Sequence, residues 1–179
     1  MRVIAGSLKG RRLKTPTWDG LRPTSDKLRE TLFNILAPRI EGARVLDAYA
    51  GTGAVGIEAL SRGAAHVTFI EHDRRAQALI ADNLAHCGVA DGYAMMRASV
   101  SRALADLHAA SFDIMVFDPP YAEQPDEILA AAGDRLAASG LLVLEHARRR
   151  PAPESAGALV RTRQVISGDS ALSFYSWAR

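Results

Sequence analysis

Between Arg44 and Glu145 the chain alternates short apolar runs with longer stretches of helical periodicity. This alternation limits the fold more than any other feature. The runs Arg44–Ala48, His66–Glu71, Ala94–Arg97, Phe112–Phe117 and Leu141–Glu145 are short, rich in β-branched or aromatic residues, and read as strands. Ala54–Arg62, Asp73–Cys87, Val100–Ala109 and Glu127–Ala137 read as the helices between them. Gly63, Gly88 and Gly140 fall just past those helices, where a left-handed residue is wanted. Regular strand–helix alternation implies crossover connections and a parallel sheet covered on both faces. The tail breaks the pattern, because Leu159–Ile166 and Leu172–Trp177 flank Ser167-Gly168-Asp169 with no helix between them. The prediction is an α/β chain with a mostly parallel seven-stranded sheet and an antiparallel C-terminal hairpin.

Ahead of this core lies a basic segment. Residues 1–40 carry nine Lys and Arg against three acidic residues, whereas the remainder is slightly acidic. Such asymmetry is the footprint of a protein that meets a polyanion at one end. Residues 1–24 read as a basic arm or hairpin and residues 25–179 as one domain. Thr24 or Ser25 caps a helix whose apolar positions are Leu28, Leu32, Ile35 and Leu36, and Pro38 is expected to end it. The start of the chain lacks the apolar core of a signal peptide, and no apolar run spans a membrane. A single cysteine, Cys87, and scattered histidines predict a cytoplasmic protein without disulfide or metal.

The chemistry concentrates at two loops. Asp118-Pro119-Pro120-Tyr121 follows the fourth strand, and two consecutive prolines force the chain out of the sheet. The result is an acid, a rigid carbonyl and an aromatic ring at the carboxyl edge, where open α/β sheets bind ligands. Asp118 and the Pro119 carbonyl suit the two hydrogens of a planar amine, and Tyr121 suits the face of the ring that bears it. The other loop, Asp47-Ala-Tyr-Ala-Gly51-Thr-Gly53, follows the first strand, and Glu71 ends the second. Gly51 and Gly53 allow a tight turn and close approach to a ligand, while Glu71 is spaced to grip ribose hydroxyls. Gly51, Gly53 and Gly56 also spell the glycine pattern of a dinucleotide fold. Asp47 favours S-adenosylmethionine instead, since a carboxylate there suits an ammonium and would repel pyrophosphate. Thr52 and His72 are placed with these cofactor residues.

These motifs resemble those of class I, Rossmann-like S-adenosylmethionine-dependent methyltransferases acting on amino groups. More narrowly, Arg2-Val-Ile-Ala-Gly6, Lys9-Gly-Arg-Arg-Leu13 and Leu21-Arg-Pro-Thr-Ser-Asp-Lys-Leu-Arg-Glu-Thr-Leu-Phe-Asn34 resemble the RsmD family. The resemblance implies methylation of guanine N2 in bacterial 16S rRNA within the small ribosomal subunit. It implies that Asp47, Gly51 and Gly53 line the methionine end of the cofactor and Glu71 its ribose. It also implies that Asp118 to Tyr121 hold the guanine, with Arg22, Thr24 and Arg29 near the RNA or the active-site mouth. Arg2, Lys9, Arg11 and Arg12 are then expected on phosphate oxygens. One position departs from the broader class: Ser99 stands where an Asp or Asn often holds the adenine amine, and its hydroxyl can still accept one bond. The chain is expected to act as a monomer. Open alternatives are another amine acceptor (adenine N6 or a protein glutamine), a nicotinamide oxidoreductase, or a non-catalytic RNA-binding module.

Overall fold

The computed structural model describes all 179 residues. Eight strands form one sheet in the order β3-β2-β1-β4-β5-β8-β7-β6. β1 (Arg44–Ala48), β2 (His66–Ile70), β3 (Tyr93–Met96), β4 (Phe112–Phe117) and β5 (Leu136–Ala147) are mutually parallel. β6 (Ser155–Ala156), β7 (Leu159–Ser167) and β8 (Ser170–Trp177) complete it antiparallel, with β8 inserted beside β5. The two-residue β6 is the strand that the sequence did not announce. The helices are α1 (Asp26–Ile40), α2 (Ala54–Ser61), α3 (Arg74–His86), α4 (Val100–Asp106) and α5 (Pro125–Gly133). None is long and apolar enough to cross a membrane.

Strand alternation divides the interior into two layers. Val45, Ile114, Val116, Val143 and Phe174 face one layer with α1, α2 and α3, through residues such as Leu32, Leu36, Ile57 and Ile80. Leu46, Met115, Phe117, Leu142 and Leu144 face the other, against α4 and α5 through Leu104 and Leu129. Val3 and Leu13 of the N-terminal segment are buried in the first layer. That segment folds back on itself through an antiparallel bridge between Arg2 and Arg12.

The first layer contains an ionic hub. Glu58 of α2, fully buried, accepts the amides of Ile4 and Ala5 at 2.8 and 3.0 Å and Arg62 Nε at 2.8 Å. Arg29 Nε lies 3.7 Å from the same carboxylate, and Arg29 also donates to the Arg2 carbonyl and to Asp26. The N-terminal segment is thereby bonded to both α1 and α2.

Of the two cap candidates, Ser25 is the one that caps α1, its hydroxyl accepting the Leu28 amide at 3.2 Å. Two local expectations need correction. Pro38 does not end that helix, which runs on to bury Ile40. The carbonyl that Pro38 leaves without its helical donor belongs to Asn34, which is exposed and open to water. Gly140 is not a helix terminus. α5 stops at Gly133, β5 starts at Leu136, and Gly140 is buried within the strand. β5 carries three extra residues there, since Phe112 pairs with Leu136 but Ile114 pairs with Leu141. A Cβ at Gly140 would stand 2.6 Å from Leu136 Cδ1, so only glycine fits.

Candidate active site

In the order β3-β2-β1-β4-β5 the chain reverses direction across the sheet between β1 and β4. At such a switch point the loops leaving two strands diverge and open a crevice. The loop after β1 carries the glycines and the loop after β4 carries Asp118-Pro119-Pro120-Tyr121, so the two predicted loops flank one crevice.

The β1 loop is shaped by three residues in the left-handed region: Tyr49, Gly51 and Gly53, at φ 61°, 58° and 77°. Gly53 is the N-cap of α2. Gly56 serves packing instead, because a Cβ there would lie 2.2 Å from Phe69 Cε1. Asp47 is buried and accepts the Gly56 amide at 2.9 Å. Burial raises its pKa to about 8 despite that hydrogen bond, and Glu71 adds to the rise. Glu71, also buried, accepts the amides of Gly51 and Asp73, each at 2.9 Å. It thus fixes the β1 and β2 loops relative to each other while presenting its remaining lone pairs to the cavity beside it. Thr52 is buried and receives the Ala54 amide at 3.3 Å, which places it under the loop rather than in the cavity.

That cavity, of about 140 Å³, is lined by Tyr49, Ile70, Glu71, His72, Ser99, Val100 and their neighbours. Its walls hold apolar side chains on which a flat ring can lie, two carboxylates and no Lys or Arg. It offers a face for a ring and carboxylates for hydroxyls, and no cationic side chain for a pyrophosphate. Ser99 lines it but also caps α4, accepting the Arg102 amide at 3.3 Å. Its hydroxyl hydrogen remains available to a ligand.

A second cavity, of about 540 Å³, lies between the β4–α5 loop and the segment after β5, with Pro119 to Asp126 on one side and Leu144 to His146 and Arg149 to Pro153 on the other. Glu123 lines both cavities, so the two adjoin. Tyr121 is exposed at the rim, with the Arg150 guanidinium 5.7 Å from its ring centroid and bonded to its carbonyl. Asp118 stands half-buried between the loops. Burial, reinforced by the charges of Glu145 and Asp47, pushes its pKa well above the usual carboxylate range.

Glu145 is the residue that the motif reading missed. It sits one strand over from Asp118, and burial raises its pKa to about 7. Its Oε2 accepts Thr24 Oγ1 at 3.2 Å, which brings the segment before α1 into the site. A signal was present, since Leu141-Leu-Val-Leu144 ends in an acid as Ile114-Met-Val-Phe117 does. Of the expected RNA contacts, Arg2, Lys9, Arg11, Arg12 and Arg22 are exposed and Thr24 is half-buried. Arg29 departs from the expectation: it is 0% exposed, held by Asp26 and Glu58, and cannot meet a phosphate. Its helical spacing from Phe33, Leu36 and Ile40, all buried, explains why.

Solved structures share this architecture. A protein described provisionally as the methyltransferase yhhF of Escherichia coli superposes with a TM-score of 0.87 at 33% identity, over 99% of this chain and 97% of the other. The hypothetical protein TTHA0928 of Thermus thermophilus does so at 0.80 and 30%, over 98% and 99%. The fold and its crevice are those of a class I methyltransferase.

Residues 1–176 match the family model described as "Conserved hypothetical protein 95". Among curated relatives, YlbH of Bacillus subtilis (strain 168), provisionally named an rRNA methyltransferase, is 39% identical over 98% of both chains. Ribosomal RNA small subunit methyltransferase D of Escherichia coli (strain K12) is 44% identical over 68% of this chain and 60% of its own length. The Haemophilus influenzae protein of that name is 35% identical over 84% and 81%. The chain belongs to the RsmD family.

Proposed function

We propose that this chain transfers a methyl group from S-adenosylmethionine to the exocyclic N2 amine of a guanine in bacterial 16S rRNA, acting as a monomer on the assembled small subunit. The observation that carries the reading is that the turn after Asp118 lines a larger open cavity which adjoins the smaller one beside the glycine loop, the two sharing Glu123. The RNA substrate rests on the names of the relatives.

S-adenosylmethionine supplies an electrophilic methyl on a sulfonium. Glu71 would hold its ribose, Ile70 and Val100 its ring system with Ser99 at the edge, and Asp47 with the Gly51–Gly53 backbone its amino-acid end. The absence of basic residues from the cavity wall supports this choice over a nicotinamide cofactor. An ammonium beside Asp47 also offsets the burial that otherwise keeps the carboxyl protonated near neutrality.

Asp118 accepts one hydrogen of the target amine and the Pro119 carbonyl the other. A conjugated amine is a weak nucleophile and becomes cationic as it attacks. Two fixed acceptors stabilise that growing charge and aim the lone pair, and holding the reactants in line contributes much of the rate. Tyr121 covers the base at the rim, and Arg150 moves from its ring toward RNA phosphate. Residues 1–24 form a phosphate-binding arm with Arg2, Lys9, Arg11, Arg12 and Arg22 at its surface, which gives salt-dependent affinity.

The test is transfer of labelled methyl to small subunits, naked 16S rRNA, duplex DNA and total protein from a strain lacking the gene. The expected product is N2-methylguanine in subunits, at a rate reduced at least 100-fold by Asp118→Ala, a loss of about the size seen when one preorganised polar group is removed. Label in DNA or protein instead would refute the substrate.

A further inference from the structure

Asp118 does not stand alone. Phe117 and Leu144 are the last registered pair of β4 and β5, so the next residues, Asp118 and Glu145, are neighbours on adjacent strands, roughly 5 Å apart at Cα. By strand alternation both follow Val116 and Val143 toward the layer that holds α1. Their one hydrogen bond from the protein comes from Thr24, on Oε2 of Glu145. Glu145 Oε1 is left open, and Glu145 lines the larger cavity together with the Pro119-Pro120-Tyr121 turn. The geometry is therefore a pair of acceptors side by side, one of them oriented by a hydroxyl from the segment that precedes α1.

Guanine presents a matching pair of donors. Its N1–H and N2 amine lie next to each other on one edge of the ring. With the amine on Asp118, the neighbouring N1–H needs an acceptor of its own, because a buried donor without a partner costs the full desolvation of that group. We infer that Glu145 is a specificity-determining residue that accepts the N1–H of the target guanine, with Thr24 fixing the orientation of its carboxylate. This rests on the function proposed above. Adenine turns an acceptor nitrogen toward that position, and a carboxylate facing it is repulsive, so the same residue rejects adenine. Thr24 lies in the segment that precedes α1, and the contact gives that segment a part in choosing the base.

The test uses small subunits reconstituted on 16S rRNA in which the target guanosine, first mapped with the wild-type enzyme, is replaced by 2,6-diaminopurine riboside. That base keeps the N2 amine but has an acceptor at N1. Wild type is expected to methylate guanine about 10- to 100-fold more efficiently in kcat/KM than diaminopurine, the range for one hydrogen bond to a charged group. Glu145→Gln, whose amide can donate to the diaminopurine N1, should lose guanine activity by a similar factor and bring the ratio to about one or below. Glu145→Asp, which keeps the charge but shortens the reach, should retain part of the preference and serves if the glutamine variant does not fold. A wild-type ratio in either folded variant overturns the inference, as does a wild-type enzyme that accepts both bases equally. Failure of the wild type to methylate guanine at all overturns the underlying function, and this inference with it.

Discussion

Glu58→Ala should be among the most destabilising single substitutions outside the apolar core. The carboxylate is fully buried and has four partners: the Ile4 and Ala5 amides, Arg62 and Arg29. Arg29 is equally buried, and two of its nitrogens already lack a hydrogen-bond partner. Truncation leaves that guanidinium without its buried counter-charge, a change that costs about 3–5 kcal/mol. The two orphaned amides each add a cost, but release of the N-terminal segment lets water reach them and caps the total. For a domain of this size the loss corresponds to a fall in Tm of about 6–20 °C. Calorimetry and guanidinium titration read the stability, and the rate of tryptic cleavage at Arg11 and Arg12 reads the segment itself, which should become cleavable well below Tm. The control is Arg44→Ala, which breaks an exposed pair with Asp113 at 3.0 Å and should cost no more than about 1 kcal/mol. Equal losses in the two variants, with no change in cleavage, would refute the reasoning.

Further outcomes follow from the site and its supports. Gly56→Ala places a methyl against Phe69 and Val67, at 2.2 Å from the nearest carbon and 2.8 Å from Val67 Cγ1; overpacking of this kind should cost about 1–3 kcal/mol by denaturant titration. Asp47 and Glu145 have folded-state pKa values raised to about 8 and about 7, against about 4 in the unfolded chain. The folded state therefore keeps protons that the unfolded state has released. Their stabilising effect is complete below about pH 4 and is lost progressively as pH rises to the folded values, so the ligand-free protein should weaken between about pH 4 and 8 and level off above that. Asp47→Asn, which can still accept the Gly56 amide, should flatten that decline; an unchanged slope would count against the assignment. Arg29→Lys should leave the salt dependence of RNA binding unaltered while lowering Tm, whereas Arg11→Ala should reduce the salt slope by about one.

The alternation of strands and helices was legible because a sheet buried on both faces requires near-continuous apolar runs, and these stand out between Gly and Pro punctuation. Element ends were less so. Pro38 continues its helix because the carbonyl it strips faces water, and Gly140 sits inside a strand because its neighbour Leu136 fills the space of a side chain. Both outcomes depend on tertiary surroundings that local sequence does not carry. In the site, Asp118 and the glycine loop were readable because their backbone demands are specific to residue type. Glu145 was passed over because an acid at a strand end gains its meaning only from register with Asp118 on the neighbouring strand. Arg29 was misplaced for the opposite reason: a charge suggests surface, yet its helical spacing assigned it to the interior.

The outermost strands govern how this molecule behaves when crowded. β6 covers only the first two residues of β7, paired at Val160 and Leu159, and Ile166 further along β7 is 52% exposed. A bare edge of that kind is a template for strand addition by another copy. Here Thr162 is an extra residue, skipped between the Arg161–Tyr175 and Arg163–Phe174 pairs. The resulting bulge kinks the edge where two arginines flank it. An incoming strand would meet a broken ladder and like charge before it reached Ile166. The bulge thus guards this edge, and deleting Thr162 should raise self-association, read by light scattering or sedimentation at increasing concentration.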